Sequence, residues 1–282
     1  MFNKVVRLLD LEDNYDAFLF DIWGVLHEGG DLYDGVIETF NYLSQKKIVR
    51  VISNAPRLKE TTAKNLISHG LNIDPRNVFT SGEAARFMLS DPQKHLGIDK
   101  PVIFHIGGYR NEELLSGGDW EVTSEIENAN LVVLSAYKDY HEDDSDLREM
   151  LGKSLALGLT ILAANPDQEV LHLGKIRKCA GFYAKIYENM GGGVIYSGKP
   201  NPIIFHECFK SLESDGKKMI IIGDTFHTDI QGAVNVKIDS GLVITGNVGI
   251  MIGKTGITNN IEAVNKICAE QKLFPSHLVS MK

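Results

Sequence analysis

Four stretches of this chain place polar, reactive residues directly behind or beside apolar runs. Asp21 ends Ala17-Phe18-Leu19-Phe20, and Ser53 with Asn54 ends Ile48-Val49-Arg50-Val51-Ile52. Asp224 ends Met219-Ile220-Ile221-Ile222-Gly223, with Asp229 five residues on, and Lys199 precedes this run in Gly198-Lys199-Pro200. An aspartate in such a place can act as nucleophile, as metal ligand, or as both. A pair of carboxylates suits Mg²⁺, which takes few protein oxygens and keeps waters and substrate phosphate for the rest. Ser53, Asn54 and Lys199 then offer donors and positive charge to the remaining phosphate oxygens. An Asp nucleophile, Mg²⁺ and a lysine clamp together describe phosphoryl transfer through an aspartyl-phosphate. Each stretch also has an ordinary alternative. Asp21 can be a turn residue, Asp229 a helix N-cap, Ser53-Asn54-Ala55-Pro56 a helix entry and Lys199 a surface lysine. Their joint appearance at successive strand ends favours the chemistry.

The residues meet only if the strand ends share one edge. Short apolar runs bounded by turn signals read as buried strands of a parallel sheet. Asp31 to Lys47 reads as a helix, with Val36, Ile37, Phe40 and Leu43 at helical spacing. A second helix begins at Pro56 and closes at Gly70. Val78-Phe79-Thr80 is a third strand and Gly82 to Leu89 a further helix. This alternation implies an α/β fold, a Rossmann-like doubly wound parallel sheet with ligands at the carboxyl ends of its strands. Residues 1 to 14 read as a short amphipathic helix leading in. From 85 to 195 the chain has strands of its own at 101–106, 131–134 and 159–163, and helices around 145–157 and 174–190. That region reads as an inserted α/β domain, so the core comprises residues 1–84 and 196–282. The first pattern resumes at Ile195, with helices from Pro202 to about Leu212 and from Asp229, and a strand from Gly241 to Thr245. The tail from 258 reads as helical and then irregular.

The bulk composition restricts the partners. Lys and Arg number 29 against 37 Asp and Glu, a net charge of −8, which argues against a nucleic-acid binder needing a basic face. Cys179, Cys208 and Cys268 lie far apart and outside any CxxC pattern, as free thiols of a reducing cytosol do. No segment has the roughly 18 apolar residues that span a membrane, so the expectation is a cytoplasmic protein acting on a small molecule, with a homodimer left open. One motif is a decoy. Gly193-Val194-Ile195-Tyr196-Ser197-Gly198-Lys199 begins like a nucleotide P-loop, but Pro200 stands where that loop needs a hydroxyl for Mg²⁺.

With these residues in place, the chain resembles the haloacid dehalogenase superfamily of aspartate-nucleophile hydrolases. It is similar in particular to its large-cap subgroup of nitrophenyl, pyridoxal and sugar phosphatases. The resemblance is carried by Phe20-Asp21-x-x-Gly24, Ile52-Ser53-Asn54, Gly198-Lys199-Pro200 and Gly223-Asp224-Thr225-x-x-Thr228-Asp229-Ile230. Thr80-Ser81-Gly82-Glu83-Ala84 and Ala164-Asn165-Pro166-Asp167 extend it over nearly the whole chain. It implies that Asp21 is the nucleophile and that Mg²⁺ is held by Asp21, the backbone carbonyl of Trp23 and Asp224, with Asp229 ligating or just behind. It also implies that Ser53 and Asn54 receive the phosphate and that Lys199 steadies nucleophile and phosphate. The insertion becomes a cap, with Asn165 and Asp167 as substrate contacts.

One residue departs from the pattern. The family's phosphatases carry a second Asp two residues after the nucleophile, as general acid; here that residue is Trp23. Losing such a group forfeits about 10²–10⁴ in rate. His27 stands close enough in sequence to be considered as a substitute. The resemblance therefore implies a Mg²⁺-dependent phosphatase of a small phosphorylated metabolite, slow on poor leaving groups. Two alternatives stand beside it: a catalytically weakened phosphometabolite sensor, and a dehalogenase on the same nucleophile.

Overall fold

The computed structural model describes residues 1–135, 144–212 and 216–282, with the side chains of 109 and 110 left aside. β1 (Val6–Arg7) and β2 (Ala17–Phe20) are followed by α1 (Val36–Lys46), β3 (Ile48–Ser53), α2 (Lys59–Ser68) and β4 (Val78–Thr80). α3 (Ser81–Ser90) and α4 (Pro92–Leu96) lead to a second set of strands. These are β5 (Val102–Ile106), β6 (Glu121–Thr123), β7 (Leu131–Leu134) and, after α5 (Ser145–Ala156), β8 (Thr160–Ala163). β9 (Glu169–His172), β10 (Lys175–Lys178), α6 (Ala180–Asn189) and β11 (Val194–Tyr196) complete this set. The chain closes with α7 (Pro202–Lys210), β12 (Met219–Gly223), α8 (Gln231–Val236), β13 (Asp239–Val243), α9 (Gly246–Thr255), α10 (Asn260–Gln271) and β14 (His277–Ser280).

Two parallel sheets result. The larger runs β1-β14-β13-β12-β2-β3-β4 and the smaller β11-β8-β7-β5-β6, while β9 and β10 form a separate antiparallel hairpin. Side chains alternate across a strand, and each face of the larger sheet is covered. Phe18, Phe20, Val49, Val51, Ile220 and Ile222 pack on Val36, Phe40 and Leu43 of α1 and Leu66 of α2. Ala17, Leu19, Ile52 and Ile221 face the other way, onto Ile204, Phe205 and Cys208 of α7. The smaller sheet is covered likewise, by α5 and α6 on one face and by Ala85, Met88 and Leu89 of α3 on the other.

Several local expectations are corrected. Residues 1–14 form β1 and a 3-10 stretch, Leu8–Asn14, rather than an amphipathic α-helix. α1 starts at Val36, because Gly35 ahead of it has φ +80°, outside the helical region. α2 starts at Lys59 rather than Pro56. The first residues of the helix expected over 174–190 are β10, and α6 covers only Ala180–Asn189. Ile195 belongs to β11, an edge strand of the smaller sheet, so the larger pattern resumes only after Tyr196. The tail is not irregular: β14 lies between β1 and β13, with Leu278 and Val279 buried. Its pairing partners, β1 and β13, are supplied by distant chain, which a local reading of four residues does not register.

Candidate active site

β2 and β12 lie side by side with Phe20 opposite Ile222, so the residues that follow each strand emerge together. Asp21 continues the ladder by donating its N–H to the Ile222 carbonyl at 2.9 Å. Asp224 follows β12, and a single turn of wide helix, Phe226–Ile230, brings Asp229 back beneath it. The carboxylate oxygens of Asp21, Asp224 and Asp229 lie within 4.8 Å of one another, all buried. Lys199 enters from the loop between β11 and α7, and is 1% exposed. Its ammonium donates to Asp21 Oδ1 and to Asp229 Oδ1, each at 2.6 Å. The other Asp229 oxygen accepts from the Asp224 and Thr225 amides, both at 3.2 Å. Asp229 thus ties the lysine to the loop that carries Asp224.

Two glycines let backbone close on Asp224. A Cβ on Gly24 (φ +81°) would lie 2.2 Å from Asp224 Oδ2, and one on Gly246 (φ +52°) would lie 2.1 Å from it. Both positions need a residue without a side chain. Thr245 Oγ1 donates to the Gly24 carbonyl at 2.5 Å, fastening the two loops. Asp224 Oδ2 accepts from the Asn247 amide (2.6 Å) at the start of α9, and Oδ1 accepts from Thr225 Oγ1 (3.0 Å). Negative charge at a helix N-terminus is favoured by its unpaired amides and dipole. Asn247 was outside the sequence reading, and Thr225 entered it only as part of a motif. Asn247 had a signal, because it follows the end of a strand that was recognised.

The electrostatics follow from burial. Removing a carboxylate from water disfavours its charged form. Burial pushes Asp21 up to about 7 although Lys199 pulls the other way. Asp224 is held well above the usual carboxylate range by burial, with Asp229 and Asp21 adding to it. Burial pulls Lys199 down, but Asp21, Asp229 and Asp167 overcome it and hold the ammonium above its ordinary value. Three buried carboxylates against one ammonium leave excess negative charge where oxygen donors converge. That donor set fits a hard divalent cation such as Mg²⁺.

Ser53 ends β3, next to β2 in the sheet, and Asn54 follows it. Ser53 Oγ accepts from the Ala55 amide at 3.2 Å, leaving its hydroxyl proton to give. The Asn54 side chain is committed elsewhere: Oδ1 accepts from the Lys199 amide (2.8 Å) and Nδ2 donates to Asp167 Oδ1 (2.8 Å). Asp167, in the loop after β8, is therefore joined to the larger sheet's edge through Asn54. Its carboxyl is raised by burial. Asn165 is one step removed, accepting from the Asp167 amide at 3.1 Å.

The Trp23 indole N–H donates to the Leu171 carbonyl in β9 at 2.8 Å, and its ring stacks on His172. His27 is buried, and burial first and then His69 and His172 lower it to about 4. It is uncharged at neutral pH and cannot hold a proton ready as an imidazolium. A cleft of about 1050 Å³ beside the site is lined in part by Asp167, Tyr196, Thr225, His227, Asn247 and Met251.

The fold and the strand-end carboxylates define a class, and comparison with known proteins agrees. A model of the haloacid dehalogenase-like hydrolases matches residues 18–121, and a second, HAD-hydrolase-like model matches residues 196–251. The chain belongs to the haloacid dehalogenase-like hydrolases. An acid sugar phosphatase of Staphylococcus haemolyticus is 24% identical over 238 residues, covering 83% of this chain and 86% of that one. A haloacid dehalogenase-like hydrolase from Brucella suis 1330 superimposes with TM-score 0.76 and 29% identity over 84% and 88% of the two chains. A structure from Cytophaga hutchinsonii, described as a possible sugar phosphatase of the HAD superfamily, gives TM-score 0.79 and 23% identity over 98% and 97%. Among the described residues, no helix is long and apolar enough to cross a membrane.

Proposed function

We propose that this protein is a Mg²⁺-dependent phosphatase of small phosphorylated metabolites, sugar phosphates foremost. The observation that carries the reading is the buried Lys199 bonded to both Asp21 and Asp229, with Asp224 inside the same cluster. The acid sugar phosphatase relative supports the substrate class. Asp21 Oδ1 is held by Lys199, so Oδ2 is the attacking atom. It forms a bond to phosphorus as the ester oxygen departs with its electron pair, giving an aspartyl-phosphate. Water then attacks phosphorus and returns the Asp21 carboxylate. Lys199 favours the ionised form of Asp21 against burial and places positive charge beside the transferring group. The Ser53 hydroxyl donates to a phosphate oxygen. Asp21, Asp224 and the Trp23 carbonyl would hold Mg²⁺, with Asp229 positioning Lys199 and the Asp224 loop; the ion supplies charge neutralisation of the phosphate. The unit built on the smaller sheet, residues 85–195, serves as a cap that excludes water. The three buried free thiols suit a cytoplasmic protein.

Phosphate release from a panel of phosphorylated metabolites, assayed with and without Mg²⁺, tests this. Activity is expected with Mg²⁺ and lost with a chelator. Asp224→Ala should weaken Mg²⁺ binding by calorimetry at least tenfold, as expected when one of few protein carboxylates is removed. Phosphate release that ignores the chelator, or equal Mg²⁺ binding by the variant, would reject the reading.

A further inference from the structure

Lys199 holds two oxygens at once, Asp21 Oδ1 and Asp229 Oδ1, each at 2.6 Å. A long side chain meets so tight a demand only where its own backbone is fixed. Yet Lys199 lies in the loop between β11 and α7, outside both sheets. The fixing comes from the Asn54 side chain. Asn54 Oδ1 accepts from the Lys199 amide at 2.8 Å, and Asn54 Nδ2 donates to the Lys199 carbonyl at 3.3 Å, both bonds buried. One carboxamide thus pairs the N–H and C=O of a single residue, as a neighbouring strand does in a ladder. Gly198 permits the approach, because a Cβ there would lie 2.4 Å from Asn54 Oδ1. The amide has one orientation here: turned over, its NH₂ would face the Lys199 N–H.

Asn54 Nδ2 also donates to Asp167 Oδ1 at 2.8 Å. Asp167 is itself a fixed post. Asn165 Oδ1 accepts from its amide, and its carbonyl accepts from the Gly181 amide in the first turn of α6, both at 3.1 Å. A line of bonds therefore runs from α6 through Asp167 and Asn54 to Lys199, and on to Asp21. We propose that Asn54 is a positioning residue: its side chain sets the Lys199 backbone, and Asp167 holds that side chain in its working orientation. The consequence for turnover rests on the phosphatase reading above; the bracing does not.

Two readouts test this. The first is the initial rate at which sulfosuccinimidyl acetate acetylates Lys199 in the metal-free protein, read by peptide mass spectrometry. The buried amine should be protected in wild type. Asn54→Ala and Asp167→Ala should each raise the rate about tenfold, as the loss of a buried hydrogen bond predicts. Asp167→Asn keeps an acceptor for Asn54 Nδ2 and removes the charge, so Lys199 should stay protected. If Asp167→Asn exposes Lys199 as fully as Asp167→Ala, the carboxylate acts by its charge and the brace is overturned.

The second readout is kcat and KM for p-nitrophenyl phosphate with Mg²⁺. Asn54→Asp keeps the acceptor for the Lys199 amide but sets a second carboxylate against Asp167. It should lower kcat by about 10²-fold, the cost of a small displacement at a reacting centre, with KM near wild type. Adding Asp167→Asn exchanges donor and acceptor across the pair, and should recover about tenfold of that loss together with the protection of Lys199. A double variant no better than Asn54→Asp overturns the relay, and a loss confined to KM overturns the positioning. Should Asn54→Ala fail to fold, Asn54→Asp and the double variant carry the test. A wild type that releases phosphate from no ester overturns the phosphatase reading, while the acetylation rates still decide the bracing.

Discussion

Lys199 is buried against two carboxylates, and a buried ion pair of this kind is costly to break on one side because the remaining charge loses its partner. Its geometry divides the labour among residues of similar type. Lys199 engages one Asp21 oxygen, Asp229 gives one oxygen to Lys199 and the other to the Asp224 and Thr225 amides, and Asp224 is wrapped by Gly24, Gly246 and Asn247. Asp21→Asn is expected to cut phosphate release by at least about 10³-fold, since an amide is a poor nucleophile. The same change should move the urea midpoint little, because Lys199 keeps Asp229 as its partner and burial already disfavours the Asp21 carboxylate. Near wild-type turnover by that variant would refute the covalent step. Trp23 adds an expectation for the unaltered enzyme. With Trp23 committed to Leu171 and His27 uncharged, the leaving group departs with little help. The enzyme should therefore favour p-nitrophenyl phosphate over an alkyl phosphate of similar size by about 10²-fold or more in kcat. Equal rates on the two would show that another group supplies the proton.

At the scale of elements, the site depends on a convergence at Gly198. A Cβ there would lie 2.4 Å from Asn54 Oδ1, 2.7 Å from Ser81 Oγ and 2.9 Å from Pro166 Cδ. Three segments meet at that point: the loop after β3, the start of α3 and the loop after β8. Next to it the Ser81 and Ser197 hydroxyls are 2.9 Å apart, and Ser197 also donates to the Ser81 carbonyl. These are the two places where the chain passes between the sheets, stitched to one another. Gly198→Ala should overpack this junction and cost about 1–3 kcal/mol in urea unfolding. It should also move Lys199, its neighbour, and lower turnover more than Ser197→Ala does. A Gly198→Ala protein with wild-type stability would contradict the close approach.

At the scale of the whole molecule, each α/β unit draws a histidine out of water, His27 fully and His105 in part. His27 lies beside the larger sheet's edge and His105 in β5 of the smaller sheet, bonded to Ser135 Oγ at 2.8 Å. Burial lowers both to about 4, from an ordinary 6.5. A base with a lowered folded-state pKa contributes stability that is present above pH 6.5 and lost as pH falls through about 4. The buried Asp21 runs the other way: raised to about 7, its contribution is present at low pH and lost as pH rises through 7 in the metal-free protein. The acid limb therefore belongs to the histidines. Between pH 7.5 and 4.5 the stability of His105→Gln relative to wild type should rise by about 2 kcal/mol, read from urea midpoints. Identical pH profiles for the two proteins would exclude His105 as a source.

The sequence by itself determined the parallel α/β core and the residues that end its strands. Apolar runs and the polar residues behind them are local, and strand ends of a parallel sheet share an edge whatever the loops do. Asp21, Asp224, Asp229 and Lys199 were legible for that reason, and they lie together. Tertiary structure decided what the remaining side chains do there. The Asn54 side chain braces Lys199 and Asp167, contacts that no local pattern announces. Trp23 was read as an absence, yet it carries the hairpin. The two strands of the hairpin and β14 escaped notice because each is four residues of weak local preference; β14 pairs with β1 and β13, and the hairpin rests on the loop after β2, all far away in the chain. A side chain's role depends on which atoms reach its hydrogen-bonding groups first, and a contact between residues 23 and 171 exists only once two sheets are packed.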